Sequence, residues 1–334
     1  MGDTGSRMDE ILRQSFYALL ERPDTTLLDI ERLLARNDAS FRQEIINTTT
    51  DEQTAYFFEQ TYPSYPKDAH LPITTRISRL VRPRVVRTLL CQPGKSFNFR
   101  EAMDEGKILL FNLSDGVLGE QTSQLLGQLI VSKIQMAVMS RGDTPAAARR
   151  PFYLYLDEFQ TFTGVAETSY EKILSRARKY SLGLCLAHQQ TGQLSNSLMQ
   201  EILGNVSTII AFNVSSADAT KLSKEFVVEM GAEVEHVPSE ELLRLKVGEA
   251  LVKIGKTVIP LKTWLADQQP NMIRAKEVIE RSRLNYGRPA IDTRGNRKPR
   301  SAEVPVTIAA QNGTTGQPVS VTRADDDLDA TKVF

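Results

Sequence analysis

Along the chain, apolar residues first recur at helical spacing and later in short unbroken runs. Between residues 8 and 90 the spacing predicts helices. In RPDTTLLDIERLL, Leu27, Ile30, Leu33 and Leu34 fall on one face, with Asp24 and Thr25 as candidate caps. Asp51 is placed to cap a second helix carrying Tyr56, Phe57 and Phe58. TYPSYPKDAHLP reads as a loop, because its prolines cannot continue a helix. ITTRISRLVRPRVVRTLL resumes the helical pattern, and Pro83 predicts a kink or a break within it.

From Lys107 the pattern changes. KILLFNL, FYLYL, LGLCLA and VSTIIAFNV are compact apolar runs separated by helical segments, as in βαβ units with a parallel sheet covered on both faces. GEALVKIGKTVIPLKTW then alternates around a Gly-Lys pair and predicts a closing hairpin. The fold class expected is α/β: a partial parallel sheet with flanking helices, preceded by an all-helical region and followed by a disordered tail. The divisions are 1–100, 101–265 and 266–334. The last is polar, poor in apolar residues from about Asn285, and ends in the acids Asp325, Asp326, Asp327 and Asp329.

Composition narrows this picture only slightly. The 334 residues hold 41 Lys+Arg against 41 Asp+Glu, which argues against a generally basic DNA-coating protein but leaves room for a local basic face. Arg76, Arg79, Arg82, Arg84 and Arg87 form a basic stretch in the helical region. They suit either phosphate contacts or a solvated helix face. Cys91 and Cys185 are the only cysteines and lie far apart, which argues against a disulfide framework or a zinc site. No apolar run is long enough to span a bilayer.

The candidate chemistry gathers around FYLYLDEFQ. A buried strand there delivers Asp157 and Glu158 at its C-terminal end, where open parallel sheets bind ligands. Asp157 suits the shell of a Mg²⁺ ion, directly or through water, and Glu158 the orientation and deprotonation of an attacking water. The alternative is a strand ending in two solvated acids. The next strand runs into His188 and Gln189, and a neutral polar side chain at that point can sense a γ-phosphate. His188 and Gln190 read instead as ordinary loop residues. The helix between the two strands ends in Arg176, Arg178 and Lys179. Such arginines serve either as a finger on a neighbour's nucleotide or as a basic helix end that suits the dipole.

LYLDEFQTF, LSRARKYSLGLCLAHQQTGQL and ILGNVSTIIAFNVSSADATKLSKEF, taken together, resemble the HerA/FtsK-like branch of P-loop ATPases. More narrowly they resemble the type IV secretion coupling proteins of conjugation, the TraD/TraG type, in the region named for recognition of TraM. GKILLFNLSDGVLGEQTSQLLGQLIVSKIQMAVMSR fits the preceding strand and helix of that family, and the resemblance covers about residues 75–265. It implies a RecA-like sheet and a hexameric ring that pumps DNA using Mg-ATP. Asp157 and Glu158 then match the Walker B pair, Gln189 the sensor glutamine and Arg178 the arginine acting in trans. Further partners implied are a relaxosome or secretion-channel protein, with the chain in the bacterial cytoplasm, held at the inner face of the inner membrane through those partners.

One departure stands out. The family's phosphate loop reads G-x-x-x-x-G-K-[ST], and the only GK[ST] here is Gly94-Lys95-Ser96, whose first glycine is replaced by Leu89. An Arg-rich helical segment precedes the triplet instead of a buried strand, so the triplet reads as a decoy. The expectation is therefore the C-terminal part of a motor, with phosphate loop, first strand and membrane anchor belonging before residue 1. Its sheet would carry an exposed apolar edge on FYLYL or LGLCLA. The alternatives are a non-catalytic adaptor of the same ancestry, which binds a complete motor or DNA-processing complex, and a self-sufficient nucleotidase using Lys95.

Overall fold

The computed structural model describes residues 3–92, 97–164, 167–230, 233–264 and 269–287. Its first part is helical: α1 (Asp3–Leu20), α2 (Asp29–Leu34), α3 (Ala39–Thr48), α4 (Glu52–Tyr56), a π turn over Phe57–Thr61, α5 (Tyr62–Ser64), α6 (Leu71–Val81) and α7 (Arg84–Leu90). Asp51 caps α4 as its position predicts, accepting from Gln53 N, and Asp38 caps α3. Neither Asp24 nor Thr25 caps α2. The helix starts later, and Asp29 in its first turn reaches back to accept from Thr26 N at 2.8 Å, while Thr25 Oγ1 donates to the carbonyl of Leu19. Pro83 breaks the helix: α6 ends two residues before it, and α7 begins one after. Ile11, Leu33, Leu34, Ile45, Phe58 and Ile73 form one core, and Tyr62 Oη donates to Leu34 O at 2.7 Å within it.

The second part holds α8 (Phe99–Asp104), α9 (Asp115–Leu118), α10 (Glu120–Ser140), β1 (Phe152–Leu156), α11 (Glu167–Arg176), β2 (Leu182–Leu186), α12 (Asn196–Asn205), β3 (Thr208–Ala211) and α13 (Ser216–Leu222). The hairpin β4 (Val227–Met230) and β5 (Glu233–His236) follows, then α14 (Ser239–Arg244), β6 (Glu249–Ile254), β7 (Thr257–Lys262) and α15 (Met272–Tyr286). The fold is thus mixed α/β with a small parallel sheet. β1 and β2 pair in parallel, Phe152 opposite Leu182 through Leu156 opposite Leu186. The closing hairpin is β6–β7, turning at Gly255, whose φ of 59° lies in the left-handed region that glycine enters without strain.

Three expectations are corrected. KILLFNL forms no strand: it runs irregularly with Ile108 at 88% and Leu110 at 83% exposure. Arg150 Nη1 donates to Glu105 O, which sets the start of this segment near the start of β1, but no ladder follows. VSTIIAFNV supplies β3, yet β3 joins antiparallel β6 and β7 in a separate three-stranded sheet instead of extending β1–β2. An apolar run encodes burial but not the partner that fills its hydrogen bonds, and β6 offers β3 a matched antiparallel register. The parallel sheet is also covered on one face only. Val131, Ile134 and Val138 of α10, Ile173 of α11 and Leu198 of α12 pack with Leu154. On the other face Tyr153, Tyr155 and Cys185 are exposed.

β2 has β1 as its single ladder partner among the described residues. Phe152 N donates to Ser181 O at 3.0 Å, and Ala187 N to Leu156 O at 2.9 Å. In a parallel ladder the groups alternate sides, so the N–H groups of Leu182, Leu184 and Leu186 point away from β1 to a free edge. Gly183 lets Tyr153 approach: a Cβ there would meet Tyr153 Cδ1 at 2.4 Å. α15 is a helix inside the stretch expected to be largely disordered; residues 288–334, including the acidic cluster, lie outside the described residues, as does Gly94-Lys95-Ser96. No helix among the described residues is long and apolar enough to cross a membrane.

Candidate functional site

β1 delivers Leu156 to the sheet's C-terminal end, and the chain turns there through Asp157 and Glu158. Glu158 takes a left-handed backbone, φ 49° and ψ 43°, a conformation a side chain with a Cβ adopts at a cost of about 1 kcal/mol. The turn is held from both sides. Glu158 N donates to Asp157 Oδ1 at 3.1 Å, and Phe159 N to Ala187 O at 3.1 Å, fastening it to the end of β2. Phe159 is buried against Tyr170 and the edge of His188.

Both oxygens of the Glu158 carboxylate accept a hydrogen bond. Gln160 Nε2 donates to Oε2 at 2.5 Å, and Gln189 Nε2 donates to Oε1. These two amides, Gln160 foremost, hold the Glu158 carboxyl below the ordinary carboxylate range. A depressed carboxyl is a weak proton acceptor, so the arrangement favours orienting a water over fully deprotonating it. Asp157 is exposed, with Oδ1 taken by the Glu158 amide. The donor set fits a Mg²⁺ ion that keeps most of its waters and takes one carboxylate from the protein. No group of three or more His, Cys, Asp or Glu that would hold a metal by itself occurs among the described residues.

Asp157, Glu158 and Gln189 therefore come together; Arg178 does not join them. It lies in the turn Ala177–Tyr180 before β2, at the opposite end of the strand. Five residues of strand separate the two ends by about 13 Å, and Arg178 is exposed. His188 lies beside the site, its Nδ1 buried and without a hydrogen-bond partner among the described residues.

Sequence reasoning assigned nothing to Gln160, although it stands two residues beyond Glu158 and supplies half of the carboxylate's bonds. It also assigned nothing to the pin behind Gln189. Thr191 N and Oγ1 both donate to buried Asp218 Oδ1, and Ser215 Oγ to its other oxygen at 2.9 Å. Ser215 followed by Asp218 has the spacing of a capping box, the one local signal available.

Residues 151–229 match the family described as the TraM recognition site of TraD and TraG. None of the curated proteins matches the sequence. Among solved structures, the fold is similar to the plasmid coupling protein TrwB in complex with ADP and Mg²⁺, with a TM-score of 0.54 and 15% identity. It is also similar to the unbound bacterial conjugative coupling protein TrwBΔN70, with a TM-score of 0.50 and 13% identity. Each alignment covers 80% of this chain and 65% of that one, so the chain spans about two thirds of the length of the structures it matches. At this identity the likeness establishes a coupling-protein-like fold.

Proposed function

We propose that this chain, with the fold of conjugative coupling proteins and their TraM-recognition region, serves as the C-terminal portion of a DNA-translocating motor ATPase of conjugation or type IV secretion. One observation carries the reading: an acidic pair and a glutamine converge at the C-terminal ends of two parallel strands, while an exposed arginine stands at the opposite end, out of reach of its own site. Asp157 would hold Mg²⁺ through water, Glu158 orient the attacking water and Gln189 report on the γ-phosphate. Mg²⁺ supplies charge neutralisation on the phosphates when bound. Arg178 would complete the site of the next subunit in a hexameric ring. Each Glu158 oxygen accepts one amide and keeps a second acceptor site, where a water can be oriented beside the two glutamines.

In this reading residues 1–100 form the accessory helical region, 101–265 the ATPase half and 266–334 the tail. DNA is the cargo, a relaxosome or secretion-channel protein the docking partner, and the cytoplasmic face of the inner membrane the place of work. The helical region supplies a phosphate-binding face. Arg76, Arg79, Arg82 and Arg84 are exposed, and no Asp or Glu occurs between Asp68 and Glu101. The second reading, a non-catalytic adaptor, draws on the Glu158 carboxyl itself, which Gln160 and Gln189 lower and so make a weak proton acceptor.

Binding of a fluorescent ATP analogue with Mg²⁺, compared across wild type, Lys95→Ala and Glu158→Gln, tests the division of labour. Absence of binding in all three is expected of a portion whose phosphate loop lies elsewhere. Binding lost in Lys95→Ala overturns the reading and makes the chain a nucleotidase in its own right. For DNA, log Kd against log salt is the readout, and each phosphate-contacting arginine removed lowers the slope by roughly 0.9.

A further inference from the structure

The largest fully buried side chain among the described residues is a charged one, Arg141, at the end of α10. A guanidinium taken out of water is costly unless its donors are filled, and here all three nitrogens are. Nε pairs with Asp104 Oδ1 at 3.1 Å, Nη1 donates to Tyr180 O at 3.1 Å, and Nη2 donates to Arg150 O. Asp104 in turn binds Arg100, which also reaches Asp143 at 2.8 Å, so two arginines and two aspartates balance one another.

A second arginine works on the same turn. Arg149 Nη1 donates to Lys179 O at 2.6 Å, Nε donates to Arg141 O at 2.9 Å, and the guanidinium lies 5.4 Å from the centre of the Tyr180 ring. The remaining carbonyl, Arg178 O, accepts from Ser181 N, and Ser181 closes the turn with φ 58°. The carbonyls of residues 178, 179 and 180 are thus all fixed, two of them by arginines from a different segment. The exposed residue carried on this rigid turn is Arg178, which makes no ion pair among the described residues.

We infer that Arg141 is a positioning residue for Arg178, with Arg149 as its second clamp. Together they fix the backbone from which Arg178 projects toward an anionic group on a neighbouring subunit. The inference rests on the reading that Arg178 acts in trans. It adds why that arginine would act at low reorganisation cost: its direction is set before the neighbour arrives. Arginine is required at 141 because a lysine has one nitrogen and cannot bridge Asp104, Arg150 O and Tyr180 O together.

The test uses two preparations. In the free full-length chain, Arg141→Lys and Arg149→Met are compared with wild type for melting temperature and for amide exchange at Ser181 and in β1. The expected result is at least tenfold faster exchange at Ser181 with β1 protection retained. Arg149 is only half-buried, so its variant carries the test if Arg141→Lys fails to fold. In the native assembly that contains this chain, ATPase kcat is expected to fall at least tenfold in Arg149→Met and in Arg178→Ala, with KM unchanged. Unaltered Ser181 exchange in the folded variants overturns the clamp. So does an unaltered kcat in Arg149→Met where Arg178→Ala lowers it. An unaltered kcat in Arg178→Ala instead overturns the trans-arginine reading on which the clamp depends.

Discussion

The helical region and the strand region expose comparable apolar side chains: Leu20 is 78% accessible and Tyr155 73%. They differ in their backbones. α1 to α7 satisfy their N–H and C=O groups within each helix and at caps such as Asp38 and Asp51, and their buried apolar residues gather in one core. Among the described residues β1 and β2 pair only with each other, so each strand leaves one side of its backbone without a ladder. Surface apolar area alone is therefore a poor guide to incompleteness in this molecule; the unfilled hydrogen-bond row is the better one.

The largest expected effect sharpens this comparison. Phe58→Ala should destabilise the helical region by roughly 3–5 kcal/mol, as loss of a fully buried aromatic side chain does, and urea titration followed by circular dichroism measures it. Tyr155→Ser, on the uncovered sheet face, should stay within about 0.5 kcal/mol; a cost near that of Phe58→Ala would mean this face is covered after all.

Glu158 gives the next contrast. Glu158→Gly should be more stable than Glu158→Ala by about 1 kcal/mol, because only glycine takes φ 49° freely. Equal denaturation midpoints would remove the strain assigned to the turn. Asp51→Ala should cost about 1 kcal/mol through loss of the α4 cap, and the same urea titration reads it.

The smallest effect is a pH dependence. The Thr50 backbone N–H, with its hydroxyl, lowers the Glu21 carboxyl, which ties the end of α1 to the turn before α4. A folded value below the unfolded one means stability is present at neutral pH and lost as pH falls through the lowered value, below the ordinary 4.5. Melts of Glu21→Gln from about pH 7 to 3 should show a shallower acid decline than wild type; an unchanged slope would detach Glu21 from the acid response.

What could be read in the sequence follows the same divide. Helices are local, so the spacing of Leu33, Ile45 and Phe58 and the break at Pro83 carried over. FYLYL, LGLCLA and the Gly-Lys hairpin also appear as strands, because their runs coincide with ladders that exist. KILLFNL has the same composition and no ladder, and β3 has a ladder with an unforeseen partner. Pairing is a property of two segments, and one segment's pattern cannot name the other. The candidate site divides likewise. Asp157, Glu158 and Gln189 stand at strand ends and announce themselves. Gln160, Asp218 and Arg141 matter through whom they touch, across as many as 39 positions in the case of Arg141 and Tyr180.

The one-sided bonding of β2 has a kinetic signature. Gly183, Cys185 and Ala187 turn their N–H groups to β1, while Leu182, Leu184 and Leu186 turn theirs to the side that has no ladder partner among the described residues. In deuterated water residues 182–187 should read as an alternating code, slow and fast from one residue to the next, although the first five belong to one strand. Whatever comes to lie along that edge would erase the code to a uniform slow line, so the isotope pattern of three leucines reports on the completeness of the sheet.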